Sequence, residues 1–145
     1  MKKILVITQH IFPIQTPRSL RSTELIKELS KKGHCVTVYA VIGGYDYSAF
    51  EREHKVKIKG INLKWQLSPY NSDGINKRCL LDRALARILG PKTLFPDIEF
   101  YVRVKHIIKK ERDTDVIISI ANPHPIHWGV AKAKKELKTF PKVWI

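Results

Sequence analysis

Apolar residues gather along this chain in two kinds of pattern. Ile4 to Ile7 is an unbroken, mostly β-branched run, and Val36 to Val41 and Val116 to Ile120 repeat it. Runs of this length without alternation predict strands covered on both faces, as in a parallel sheet between helices. Other stretches carry the helical period. Thr16-Pro17 offers a capping hydroxyl with proline at the first helical position, Leu25, Ile26 and Leu29 form the expected buried stripe, and Gly33 supplies a left-handed stop. Strand, helix and strand within about forty residues make a βαβ unit, which requires parallel strands and a right-handed crossover.

Beyond Gly43-Gly44 the pattern changes. Val56 and Ile58 alternate with lysines, and Ile61, Leu63, Trp65 and Leu67 alternate on the opposite parity. The shift falls at Gly60, which predicts a bulge or tight turn there. Asn71-Ser72-Asp73-Gly74 reads as a loop. Leu80 to Leu89 reads as a helix ended by Gly90-Pro91. Pro96 opens another, with Tyr101, Val104 and Ile108 as its stripe and Lys109-Lys110 near its end. After the strand Asp115 to Ile120, a further helix places Ile126, Val130, Ala133 and Leu137 on one face, and Val143-Trp144-Ile145 begins another strand.

The pattern predicts an α/β fold, a Rossmann-like three-layer α/β/α sandwich with a mainly parallel sheet. One such domain fills 145 residues. In these sheets ligands sit beyond the carboxyl ends of strands, where connections leave in opposite directions. Two loops are expected to converge there: Gln9 to Arg18 after the first strand, and Ala121 to His127 after the later one.

Charge adds a constraint on partners. Lys+Arg number 27 against 13 Asp+Glu, a net charge of +14, which favours phosphates, nucleic acid or an anionic membrane surface. Cys35 and Cys79 make no disulfide framework; Cys35, in its apolar run, is expected to be a small buried hydrophobe in a reducing cytoplasm. The first apolar run is too short for a signal peptide, and no stretch reaches the roughly 18–20 residues that cross a bilayer. The histidines and cysteines lack metal-ligand spacing, so no metal is expected. Neither a Gly-x-Gly-x-x-Gly fingerprint nor a Gly-Lys-Ser/Thr phosphate loop is present, which argues against a dinucleotide dehydrogenase or a P-loop enzyme.

Two ordered blocks resemble the amino-terminal half of family 4 glycosyltransferases. The first is Lys3-Ile4-Leu5-Val6-Ile7, Phe12-Pro13, Arg21-Ser22-Thr23-Glu24-Leu25 and Gly33-His34-Cys35-Val36-Thr37-Val38. The second is Phe95-Pro96-Asp97, Asp115-Val116-Ile117-Ile118-Ser119 and Asn122-Pro123-His124-Pro125-Ile126-His127-Trp128-Gly129. The stretch from 45 to 90 matches only loosely. The resemblance implies a GT-B enzyme in which two Rossmann-like domains face a cleft. The amino-terminal domain receives the acceptor, the carboxyl-terminal one grips a nucleotide-sugar, and transfer retains the anomeric configuration without metal. It implies that residues 1–145 are the acceptor-side domain, that the donor-binding domain lies outside them, and that they are inactive alone. The expected role is polysaccharide biosynthesis, with a nucleotide-sugar as co-substrate, no other cofactor, and a glycan or lipid-linked acceptor. The expected location is cytoplasmic, with a peripheral place at the inner membrane face as its extension.

One departure bears on the site. Relatives carry glycines after the first strand, whereas this chain has Pro13-Ile14-Gln15-Thr16-Pro17-Arg18-Ser19. Side-chain contact to phosphate by Arg18 or Arg21 is then expected in place of backbone cradling, with a plain surface arginine as the alternative reading of Arg21. His127 matches the family histidine near the transferred sugar, where a neutral imidazole would hydrogen-bond a hydroxyl; the alternative is a helix-start histidine filling local hydrogen bonds. His124 and Asn122 in the same loop, and Gln9 and His10 by topology, complete the candidate substrate-binding set. His34 suits the negative end of the preceding helix and reads as structural. The basic helix from Lys77 to Lys92, with Lys77, Arg78, Arg83 and Arg87, is either a solvated face, a membrane patch or a nucleic-acid surface. The last is disfavoured because no aromatic residues are interleaved with the basic ones. A non-catalytic Rossmann-like binding module and a basic nucleic-acid-associated domain remain the alternative functions.

Overall fold

The computed structural model describes residues 1–63, 97–120, 124–137, 140–141 and 143–145. Its elements are β1 (Lys3–Ile7), α1 (Pro17–Lys31), β2 (Cys35–Ala40), α2 (Ser48–His54), β3 (Lys57–Gly60), α3 (Ile98–Lys110), β4 (Val116–Ser119), α4 (Pro125–Glu136) and β5 (Val143–Trp144). The strands form one sheet in the order β3-β2-β1-β4-β5, and every pairing is parallel. β1 is central, with Ile4 opposite both Val36 and Val116. This is the doubly wound arrangement, and its reversal of direction falls between β1 and β4.

Pleating divides the core into two layers. Leu5 and Ile7 of β1 and Ile117 of β4 join Phe100, Val104, Ile107 and Ile108 of α3 and Ile126, Val130 and Ala133 of α4. Ile4 and Val6 join Val36 and Val38 of β2, Ile26 of α1 and Phe50 of α2 on the opposite face. The sandwich therefore has α1 and α2 on one side and α3 and α4 on the other. Leu5, Val6 and Ile7 are fully buried, as an unbroken apolar run requires. α3 and α4 meet closely at Gly129. A Cβ built there would lie 2.8 Å from Val104 Cβ and 3.0 Å from the Tyr101 carbonyl oxygen, so only glycine fits without a shift.

Several local expectations hold in detail. The Thr16 hydroxyl accepts from the Ser19 amide at 3.2 Å with Pro17 next in sequence, and Gly33 closes the helix at φ +79°. Beyond it the His34 amide donates to the Leu29 carbonyl.

Others are corrected. Leu25 is 38% exposed, and the buried face of α1 is Ser19, Ser22, Thr23 and Ile26, because the helix leans on the loop after β1 with its small hydroxyl residues. Cys35 is exposed rather than buried, since it stands at the first position of β2, outside the helical layers. On α3 Phe100 is fully buried and takes the place expected of Tyr101, which is half-buried. The parity change at Gly60 marks the end of β3: the Ile61 amide still donates to the Ala40 carbonyl at 2.8 Å, and the ladder then stops. α2 had no counterpart in the sequence reading. It is seven residues long, buries one large side chain, Phe50, and starts where Asp46 accepts from both the amide and the hydroxyl of Ser48. The expected loop at 71–74 and the expected basic helix, with Lys77, Arg78, Arg83 and Arg87, lie outside the described residues. Among the described residues no helix is long and apolar enough to cross a membrane.

Candidate functional site

The hydrogen bonding at the carboxyl end of β1 continues past the strand and shapes the site. The Thr8 amide donates to the Tyr39 carbonyl, the Val41 amide to the Gln9 carbonyl, and the Ile120 amide to the Ile7 carbonyl. Thr8 and Gln9 are thus held level with the ends of β2 and β4. The chain then turns outward and returns as α1, leaving a cleft of about 550 Å³. Thr8, Gln9, His10, Thr16, Pro17, Arg18, Arg21 and Ile120 line it. This is the switch point, and four sequence-selected residues, Gln9, His10, Arg18 and Arg21, meet there.

α1 approaches the loop through hydroxyls. The Thr23 hydroxyl accepts from the Phe12 amide at 2.9 Å, and the Ser22 hydroxyl lies 3.4 Å from that of Thr8 while donating to the Arg18 carbonyl at 2.9 Å. A loop without glycine can lie close to a helix when the helix, rather than the loop, contributes the small side chains. Ser19, Ser22 and Thr23 fill that role and are buried. The loop's outer edge packs by aromatics, with Phe12 stacked on Phe50 at 5.7 Å between ring centres and edge-on to Tyr45 at 5.8 Å. These hydroxyl and ring contacts escaped the sequence reading; the Ser19/Ser22/Thr23 spacing on one helical face was the available signal.

The electrostatics of the cleft are one-sided. The first turn of α1 holds no acidic residue and carries Arg18, with Arg21 one turn on. Both guanidinium groups are exposed near the positive end of the helix, a place that suits an anion. Burial pushes the His10 imidazole below its ordinary value, and its Nδ1 is buried without a hydrogen-bond partner among the described residues. The Ser19 hydroxyl is likewise buried and unpartnered there.

His127 stands at the same edge of the sheet but on the other face. Ser119 and Ile120 are consecutive, so they point to opposite sides. Ile120 lines the cleft beside α1, while the Ser119 hydroxyl turns toward α4 and lies 2.6 Å from His127 Nδ1. His127 is half-buried, with its pKa lowered by burial and further by the neighbouring charge of His124. His124 is exposed at the start of α4. The expectation that the two loops face one cleft is therefore met only at the level of the sheet edge: among the described residues, His124 and His127 do not line the cavity that holds Arg18 and Arg21. Asn122 lies outside the described residues. No group of three or more histidine, cysteine or acidic side chains is placed to hold a metal ion among the described residues.

Comparison with known proteins adds a fold-level likeness. No family model and no curated protein matches the chain. Among solved structures, a glycosyltransferase from Rickettsia africae aligns over 99% of this chain with a TM-score of 0.50 and 14% identity, and the chain spans 28% of that structure's length. The C-terminal domain of a hydrogenase from Pyrococcus furiosus aligns over 98% of the chain and 90% of its own, with a TM-score of 0.49 and 15% identity. The fold is thus a Rossmann-like parallel sandwich similar to a portion of a glycosyltransferase.

Proposed function

We propose that the chain is the amino-terminal, acceptor-side domain of a two-domain, GT-B, family 4-like glycosyltransferase. In this reading the whole protein moves a sugar from a nucleotide-sugar to a glycan or lipid-linked acceptor, with retention at the anomeric carbon and no metal. The observation that carries it is the cleft at the β1/β4 switch point, where Arg18 and Arg21 sit by the amino end of α1 beside Gln9 and His10. Guanidinium groups at a positive helix end suit a phosphate or sugar-phosphate group. The sequence motifs around Arg21 and His127 and the fold likeness support the same assignment.

Three groups of residues have roles in it. Arg18 and Arg21 hold the anionic part of a ligand, Gln9 and His10 contact its polar groups, and His127 donates a hydrogen bond to a hydroxyl of the transferred sugar, with His124 and Asn122 beside it. A domain holding the donor would close over this edge, exclude water and align the reactants. Lys77, Arg78, Arg83 and Arg87 serve association with an anionic membrane that carries a lipid-linked acceptor, at about 1 kcal/mol for each basic residue near the surface.

The test is titration of the protein carrying this chain with inorganic pyrophosphate and with nucleotide-sugars, alongside assays of sugar transfer. The Arg18→Ala/Arg21→Ala variant is expected to weaken pyrophosphate binding at least about tenfold, since hydrogen bonds to charged groups contribute roughly 1.5–3 kcal/mol. Unchanged affinity would remove the cleft from the reading. Turnover of a sugar donor by residues 1–145 alone would remove the two-domain assignment. Anion binding at the cleft by a protein that transfers no sugar would favour the binding-module alternative.

A further inference from the structure

The His127 imidazole is connected to β5 through β4. The Trp144 indole Nε1 donates to the Ser119 hydroxyl oxygen at 2.7 Å, and that oxygen lies 2.6 Å from His127 Nδ1. The Ile145 carbonyl oxygen is also 3.5 Å from the hydroxyl, but it already accepts the Ser119 backbone amide at 2.9 Å. All three residues sit on the α4 side of the sheet, where Trp144 packs against the core formed with Ile126 and Val130.

Donor and acceptor counting gives this chain a direction. An indole N–H can only donate, so one lone pair of the Ser119 oxygen is occupied by Trp144. The hydroxyl has a single proton and two possible acceptors. The contact to His127 Nδ1 is short, whereas the contact to Ile145 is at the limit of hydrogen bonding and reaches an oxygen already in use. The proton is therefore directed to Nδ1, which must accept it. A neutral imidazole that accepts at Nδ1 carries its own proton on Nε2. Burial and the His124 charge both favour the neutral ring.

We propose that Ser119 and Trp144 are positioning residues that lock His127 as the Nε2–H tautomer and present that N–H as a hydrogen-bond donor at the carboxyl edge of the sheet. The ligand group it fits is an acceptor, such as a hydroxyl oxygen of a sugar. The last step rests on the reading of His127 as ligand-facing; the tautomer lock does not. β5, remote in sequence from the histidine, thereby decides which ring nitrogen is offered. Supporting a functional histidine through its other nitrogen is a general way to fix both ring orientation and tautomer.

Long-range proton–nitrogen NMR spectra of the full chain at pH 8, with His127 assigned by comparison with His127→Gln, test the lock directly. The wild-type protein is expected to show protonated Nε2 and an unprotonated, hydrogen-bonded Nδ1. This measurement needs no variant beyond the assignment. Protonation at Nδ1 would overturn the proposal. Ser119→Ala is expected to raise the ratio of the Nδ1–H to the Nε2–H form about fivefold, the size of one net hydrogen bond, and Ser119→Thr to restore it. Trp144→Phe is expected to move the ratio the same way by less. No change in Ser119→Ala would overturn the lock, and no change in Trp144→Phe would remove the indole from it. Affinity for a nucleotide-sugar, measured on the whole protein that carries this chain with the same substitutions, separates the two levels. A lock that responds to Ser119→Ala while affinity does not would leave the relay standing and sink the ligand-facing role of His127.

Discussion

The two faces of the sheet are built on different terms. On the α3/α4 face the helices meet through large, fully buried apolar groups, with Phe100, Val104, Ile126 and Val130 against Leu5, Ile7 and Ile117, and Gly129 lets the helices close together. On the α1 face the half of the helix nearest the cleft is seated by Ser19, Ser22 and Thr23, and apolar packing resumes only at Ile26. The first face holds most of its free energy in burial and is intolerant of volume change. The second gives up part of that burial in order to hold a turned loop and a cleft at the switch point. This division lets a domain keep a polar site on one side without loosening the whole.

Variants on the two faces should therefore separate stability from binding. Phe100→Ala removes a fully buried ring from the α3/α4 face and should cost about 3–5 kcal/mol in urea unfolding, the range of such truncations. A loss under 1 kcal/mol would mean that this face is not the scaffold. Gly129→Ala comes next. Alanine favours a helix by up to about 1 kcal/mol, but here its methyl meets Val104 and the Tyr101 carbonyl, so a net loss of about 1–3 kcal/mol is expected. A gain in stability would show that α3 and α4 can separate freely.

On the other face, Thr23→Val keeps the shape and deletes the acceptor of the Phe12 amide. It should cost about 1–2 kcal/mol and weaken pyrophosphate binding at the cleft more than Gly129→Ala does. Equal effects of the two variants on binding would erase the contrast between the faces.

Acid should produce the smallest difference. His10 and His127 both have folded-state values below the ordinary 6.5. As pH falls through 6.5 the unfolded chain takes up these protons first, so their contribution is complete above that value and declines as pH drops through the lowered folded values. Stability followed from pH 7.5 to 5 should fall, and His10→Gln and His127→Gln should each flatten part of the slope. A slope that neither variant changes would locate the acid sensitivity elsewhere.

What could be read along the chain was what short-range physics writes into it. Apolar runs, unbroken in β1 and interrupted only by Thr37 in β2 and Ser119 in β4, identified these strands, because a strand covered on both faces has few polar positions to spare. Thr16-Pro17 and Gly33 bounded α1, because caps and left-handed turns depend on local backbone chemistry. Even the meeting of Gln9, His10, Arg18 and Arg21 followed from βαβ handedness and the switch-point rule. Leu25 and Cys35 went the other way. Apolar periodicity indicates which residues could be buried, and the neighbouring element decides which of them are. Here the loop after β1 selected the hydroxyl face of α1, and the start of β2 left Cys35 uncovered.

The separation of His127 from the arginine cleft was likewise a tertiary decision. It turns on the parity of Ser119 and Ile120 at the end of β4, with α1 on one face and α4 on the other. The link from Trp144 to His127 spans β4, β5 and α4, and no spacing rule connects residues 119, 127 and 144. Periodicity and capping act over a few residues, so the sequence alone could name the elements and their order. Which nitrogen of His127 is held, and which face of the sheet holds it, depend on strands brought side by side from distant parts of the chain.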